Sequence, residues 1–458
     1  MKRHPLRSLV LFALLAFGLL RLGALSCGAA SPPAGIPAPV SNLMSVGNPD
    51  GSGTVTVTGA SGAVSPGAEV SGDNISGPVT LRNDWIRSAW ADTEALSSTT
   101  IAGTDGSFQL RLTATVGDTL RLTQSLDNET SKPTQVQVSG NVVGLDAKPQ
   151  GLGIDALTHQ AYVTGSQDST GLVFSLPLNS VNPLLSSPPA TFTLQGKGGI
   201  GDVEVDEDMG KVFAVSPMQN SFVRFPFSTE MSVADLTVSS PLDIDISQTF
   251  NLAVIGLADT SASISLFDTV GEKFTCDYLI PSPSGAPHVA TPLVKTENNN
   301  TENLQLIAVS QYQDDSWVVS RIVFSGCASG FTVTSQVVLP SSVVPQGLAV
   351  FDSGSFALVT DGAGNQLFLV DLNAKSVRAT VGVGKNPIGV DVNASNNRAY
   401  VVNSGDNSIT SVDLQDLSTH TQGPYGLNPT EIAIDSGLSV GVILSTVDKS
   451  TVLVNVDF

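Results

Sequence analysis

The chain runs to 458 residues, too long for one ordinary core, so two or more domains are expected. Only 14% of residues are charged, Gly (43) and Pro (26) are frequent, and no long Glu/Lys/Leu-rich helical pattern occurs; this composition excludes a helical bundle and points to an all-β class of short strands and tight turns. With 41 acidic against 21 basic residues the net charge is −20, and no Lys/Arg cluster beyond the N-terminus exceeds a dipeptide, which argues against nucleic acid as a partner.

The N-terminus carries Lys2, Arg3 and Arg7, followed by the apolar run Leu9 to Leu20. That run is shorter than the roughly 20 residues a spanning helix needs, so residues 1–26 are expected to be an export signal. Ala24-Leu25-Ser26-Cys27 resembles the lipobox of bacterial lipoproteins, with Ala24 where that family has Leu. The resemblance implies lipidation of Cys27; cleavage after Ala30 by ordinary signal peptidase is the alternative. Removal of 1–26 takes four basic residues and no acidic ones, which makes the net charge −24. With Cys27 lipidated, Cys276 and Cys327 remain, either as a disulfide of an oxidising compartment or as two buried thiols. No CxxC motif is present, which argues against thioredoxin chemistry and covalent haem.

Residues 27–49 read as a tether, with the Pro/Ala-rich stretch Ser31 to Val40 extended and semi-rigid. Residues 50–130 alternate in strand fashion between Gly, Pro and Asp turns. Ser65-Pro66-Gly67, Asp105-Gly106-Ser107-Phe108 and Gly117-Asp118-Thr119-Leu120 resemble the turns of bacterial immunoglobulin-like modules. The stretch Ser76 to Ser98, with Trp85 and Trp90, is longer and more aromatic than that family shows; core filling is the expected role of the tryptophans, a binding loop the alternative.

From residue 131 a repeat takes over. Copies open at Pro149, Ile200, Pro241, Pro287, Pro345, Pro387 and Pro429, spaced by 51, 41, 46, 58, 42 and 42 residues. In the clearest copy, Ile388, Val390 and Val392 alternate with Gly389 and Asp391, a strand with two unlike faces. Ala399 to Val402 is a short apolar run of the kind a strand buried on both faces shows, and Ser408 to Leu414 is a third strand. Four such strands in about forty residues make a propeller blade. The last copy stops after its third strand, and residues 132–139 (KPTQVQVS) precede the first copy as an unassigned strand with Val136 and Val138 alternating. Placing 132–139 on the last blade would close the ring and remove an open edge.

Asn386-Pro387-x-Gly389-Val390-x-Val392, Ala399-Tyr400-Val401-Val402-Asn403, Ser411-Val412-Asp413 and the partial Tyr162-Val163-Thr164 resemble the YVTN-type β-propeller repeat of exported bacterial and archaeal proteins. The resemblance implies a seven-bladed β-propeller over 131–458, exported or surface-attached and often without known catalysis. The whole chain then reads as an all-β protein in which an Ig-like β-sandwich precedes that propeller.

Candidate site residues come from loops that share one propeller face: Asp168, Asn220, Asp259, Asp314, Asp315, Asp361, Asn365, Asp406, Asn407 and Asp448. Such a rim can hold Ca²⁺, a cationic group or a sugar, although Asp and Asn are also what tight turns require. His288 and Trp317 add to it in the fourth copy, which departs most from the repeat. Asp155, Asp206 and Asp435, which close first strands, are expected to bond the amides of the turn that follows. Histidines are too few and too scattered for a haem, copper or zinc site. The expectation is a monomeric, non-catalytic binding or scaffold protein of the bacterial envelope, without a cofactor unless Ca²⁺ binds. It would touch the membrane only through its lipid and bind a protein or carbohydrate at the rim. The alternative is a lactonase-like hydrolase, with or without Ca²⁺, whose site lies on the pore face.

Overall fold

The computed structural model describes residues 36–47, 54–75, 97–114, 118–138, 141–168, 170–179, 190–194, 198–226, 234–297 and 303–456. Cys27, Trp85, Trp90 and most of the polar loop 296–302 lie outside them. Among the described residues the helices are two three-residue 3-10 turns; everything else regular is strand.

The N-terminal unit is a sandwich of two antiparallel sheets. One holds β1 (Met44–Val46), β2 (Thr54–Gly59) and β5 (Phe108–Thr113); the other holds β3 (Glu69–Asn74), β4 (Ser97–Ile101) and β6 (Thr119–Leu126), with β7 (Glu129–Thr130) and β8 (Thr134–Gln137) both paired to β6. Period-2 patterning builds it: Val55 and Val57, Leu110 and Leu112, and Leu120 and Leu122 point inward, and the intervening residues face out. Gly72 lets the sheets close up, since a Cβ there would come within 2.5 Å of Leu110 Cδ2. The unit is wider than 50–130: Met44 and Val46 at one end and Val136 and Val138 at the other belong to the same core.

Seven four-stranded antiparallel sheets follow. The first blade is β10 (Lys148–Asp155), β11 (Gln160–Gln167), β12 (Thr170–Pro177) and β13 (Ala190–Leu194), counted from the axis outward. The second strand of each blade is sandwiched between neighbouring blades, which is why it is a continuous apolar run; Ala399, Tyr400, Val401 and Val402 are all fully buried. The inner strands approach one another so closely that a Cβ on Gly347 would lie 2.2 Å from Ile388 O of the next blade. Threonines of the second strands lock these approaches: Thr164 Oγ1 donates to Gly201 O (2.6 Å) and Thr360 Oγ1 to Ile388 O (2.7 Å). The carboxylates that end first strands cap the following turn, Asp155 accepting from Leu157 and Thr158 N, Asp206 from Met209 N, and Asp435 from Gly437 and Leu438 N, each at 3.0 Å.

The ring closes one strand later than the sequence suggests. The closing strand is β9 (Asn141–Gly144), which pairs with Ser450–Asn455 in the register Val142 to Val452 and Val143 to Thr451. Residues 132–139 instead contribute β8 to the sandwich. The two valines at i and i+2 explain the difference. Val136 and Val138 are 2% and 1% exposed in the sandwich core, whereas Val142 and Val143 on the propeller rim are only partly buried. A fully buried face was available on β6 and not on an outermost strand. Cys276, on the fourth strand of blade three, and Cys327, in a loop of blade four, are joined by a disulfide with Cα atoms 6.0 Å apart.

Candidate functional site: the propeller channel

The inner strands enclose a cavity of about 550 Å³ on the axis. Its charged lining comes from blades two, three, four, six and seven: Asp202 and Glu204, Asp243, Lys295, Asp391, and Glu431, with Asp245 beside Lys295. Blades one and five contribute no charge there, only Gln150, Gln346 and glycine or apolar residues. Counted from the residue that opens each copy, Asp202, Asp243 and Glu431 occupy position three of the inner strand, where other copies have Gly347 or Gly389, and Glu204, Asp245 and Asp391 occupy position five, where blades five and seven have Ala349 and Ala433. Lys295 stands at the same level by pairing: it faces Ile307, as Glu204 faces Phe213 and Asp391 faces Tyr400. Two register shifts in the inner strand of blade four (His288–Glu297) bring it there.

Four of the acids double as staples between blades. An inner strand has no partner on its axial side, so part of its backbone needs acceptors from elsewhere. Asp202 Oδ2 accepts from Ile244 N (3.1 Å), Asp243 Oδ2 from Val294 N (2.6 Å), and Asp391 Oδ2 from Ile434 N (2.8 Å). Asp245 Oδ2 accepts from Thr296 N and from Thr296 Oγ1 (2.6 Å). Lys295 Nζ lies 3.5 Å from Glu204 Oε1 and 3.5 Å from Asp245 Oδ1. Glu431 differs from the rest: among the described residues its carboxyl has no hydrogen-bond partner, and it faces the cavity.

Enclosure dominates the electrostatics. Burial raises Asp202, pushes Glu204 up to about 8 and Asp391 up to about 6, and holds Asp243 and Glu431 well above the ordinary carboxylate value; neighbouring carboxylates add to this at every one of them but Asp202. Asp202 and Asp243 interact directly, and the proximity of the two carboxyls adds to the rise at Asp243. For Lys295 burial opposes the charge, but Asp245, Glu204, Asp243 and Asp202 outweigh it and keep the ammonium well above its ordinary pKa. Six carboxyl groups thus surround one cation, and the channel retains protons near neutral pH.

The residues expected to form a binding rim do not converge. Asn220, Asn365 and Asn407 take left-handed backbone conformations in their turns, and each Oδ1 accepts a backbone N–H from the next inter-blade loop: Ser240 (3.0 Å), Asn386 (2.8 Å) and Asn428 (2.8 Å). Asp259, Asp314, Asp406 and Asp448 accept from serines of their own or adjacent loops, and the Ser239 and Ser261 bonds hold Asp259 down at about 2. Asp361 accepts from Val344 N and Ala363 N, while Asp168 and Asp315 are exposed turn residues. His288 is buried with Nδ1 against Asp259 O (3.0 Å) and Nε2 against Thr291 Oγ1 (3.0 Å), and burial lowers its pKa. Trp317 packs on the core shared by blades four and five. These side chains build the loops. The signal for the channel was nevertheless present, as acids alternating with Val and Ile in DVEVD, PLDIDIS, PIGVDV and PTEIAID.

No protein-family model matches the sequence, and no curated protein matches it in sequence. Solved structures do match in shape. Hydrazine synthase of Kuenenia stuttgartiensis aligns at TM-score 0.53 and 13% identity, over 68% of this chain and 97% of that one. A catalytically inactive virginiamycin B lyase from Staphylococcus aureus, solved with quinupristin, aligns at TM-score 0.51 and 13% identity, over 69% and 98%. At such identity the likeness shows the fold alone, a β-propeller.

Proposed function

We propose that the chain is an exported, lipid-anchored and non-catalytic binding protein of the bacterial envelope, with a sandwich module of immunoglobulin-like type carrying a YVTN-type propeller whose ligand enters the axial channel. The observation that carries this reading is the charged lining, which five blades bring to one cavity, whereas the rim asparagines are engaged in holding the inter-blade loops. One chain supplies every blade and the closing strand, which supports a monomer. The hydrolase reading has less support. Both ring nitrogens of His288 are engaged, and among the described residues no three His, Cys, Asp or Glu side chains converge as metal ligands.

Thr430→Trp tests the location by placing an indole in the cavity that Thr430 lines. Thermal shifts of wild type and variant are compared across a panel of amines, metal ions, sugars and peptides. A ligand that stabilises only wild type is expected; identical shifts in both proteins across the panel remove the channel as the site. For the address, palmitate labelling of wild type should vanish in Cys27→Ser, and equal labelling sinks the lipoprotein assignment.

A further inference from the structure

Resting on the channel as the binding place, we infer that its ligand is a small linear organic cation bearing two or more amino groups. Four properties of the cavity lead there.

The first is capacity: about 550 Å³ falls within the range of small-molecule sites and exceeds what a bare ion fills. The second is the spread of the acids. They sit on separate inner strands around the axis, and Asp202, Asp243, Asp245 and Asp391 are pinned to the next blade by backbone N–H groups. Pinned carboxylates cannot swing together around one ion, and no three-ligand metal cluster forms among the described residues. An extended molecule with separated ammonium groups matches that distribution.

The third is the apolar lining between the acids, from the partly exposed Leu242, Leu293 and Ile388. Methylene spacers can lie against it while ammonium groups reach the carboxylates; a sugar would leave its hydroxyls against those side chains. The fourth is Glu431. Its carboxyl faces the cavity without a hydrogen-bond partner, and its charged form is disfavoured only by burial and by like charges, which an arriving ammonium relieves. Lys295 pairs directly with Glu204 and Asp245, whereas its charge reaches Glu431 only from a distance and leaves that carboxyl raised.

Because Glu204 is pushed up to about 8 and burial also raises Asp243 and Glu431, an amine entering as its ammonium form should displace protons from the channel. Binding is therefore expected to release protons.

The test is isothermal titration of the full exported chain with spermidine, putrescine, Ca²⁺ and a neutral hexose, in two pH 7.5 buffers of different ionisation enthalpy. Spermidine should bind more tightly than putrescine, with a heat that differs between buffers by the protons released. Glu431→Gln, which keeps the shape and removes the charge, should weaken spermidine about tenfold or more. Thr430→Trp should abolish binding, and both variants must unfold with the wild-type melting profile to count. Absence of spermidine binding beside a channel-blocked ligand of another class overturns the amine assignment but leaves the channel reading standing. Spermidine binding of equal strength in wild type, Glu431→Gln and Thr430→Trp overturns both. Ca²⁺ binding lost in Glu431→Gln, without spermidine binding, assigns the site to a metal and likewise overturns the inference.

Discussion

Replacing Lys295 with Met removes the one cation among six channel carboxyls. Each of its two 3.5 Å contacts corresponds to about 5 kcal/mol of attraction at an effective dielectric constant of ~20. The side chains keep some solvent, 33% exposure for Lys295, 22% for Glu204 and 14% for Asp245, and protons can replace the lost charge, so the net loss is smaller. We expect about 3 kcal/mol at pH 8. The pH dependence separates charge from packing. A carboxyl whose folded pKa is raised, as Glu204 is from 4.5 to about 8, binds extra protons when folded, so its effect lowers stability as pH rises through that window. Lys295 itself, with a raised folded pKa, stays charged throughout this range and would lose its contribution only as pH rises from its ordinary pKa of 10.5 through the raised one. At pH 5 Glu204 and Asp391, raised to about 8 and about 6, are largely protonated, Lys295 has less charge to balance, and the loss should shrink to about 1 kcal/mol. Urea unfolding of the propeller at both pH values measures this. A loss as large at pH 5 as at pH 8 would refute the electrostatic account and leave only the packing of the lysine stem.

Three further outcomes follow from the fold. A chain that begins at residue 140 retains β9 and should give a folded propeller, whereas one that begins at 146 leaves blade seven with three strands and should unfold at lower urea or aggregate through the open edge; equal stability of the two would contradict the closing register. Reduction of the Cys276–Cys327 bridge, which spans 51 residues, should lower stability by up to about 4 kcal/mol, read as a reductant-dependent drop in melting temperature that Cys276→Ser abolishes. Thr360→Val keeps the shape but removes the hydroxyl that reaches Ile388 O, and should cost about 1 kcal/mol, with no effect expected from the same change at an exposed threonine such as Thr99.

Much of the architecture was legible in the residues because local patterning determined it. Ala399 to Val402 is apolar at every position because it is buried on both faces, and Val55 and Val57 alternate with threonine because β2 has one core face. The turn-capping role of Asp155, Asp206 and Asp435 was equally readable, since an Asp at a strand end finds its partners two or three residues on. The site was harder. Asp391 looked like the polar face of one strand, and Lys295 lay in the copy that matched the repeat least.

The sequence by itself determined the class, the number of repeats and their strand order, because period-2 burial and turn chemistry act within a few residues. Only the tertiary structure decided which strand closes the ring and where the charges meet. Val136 goes to whichever sheet offers a deeper face, a contest between two distant partners. Asp202, Asp243, Lys295 and Glu431 lie up to 229 residues apart and share one cavity only because the ring brings all inner strands to a common axis, where enclosure raises the acids and their charges hold the lysine protonated.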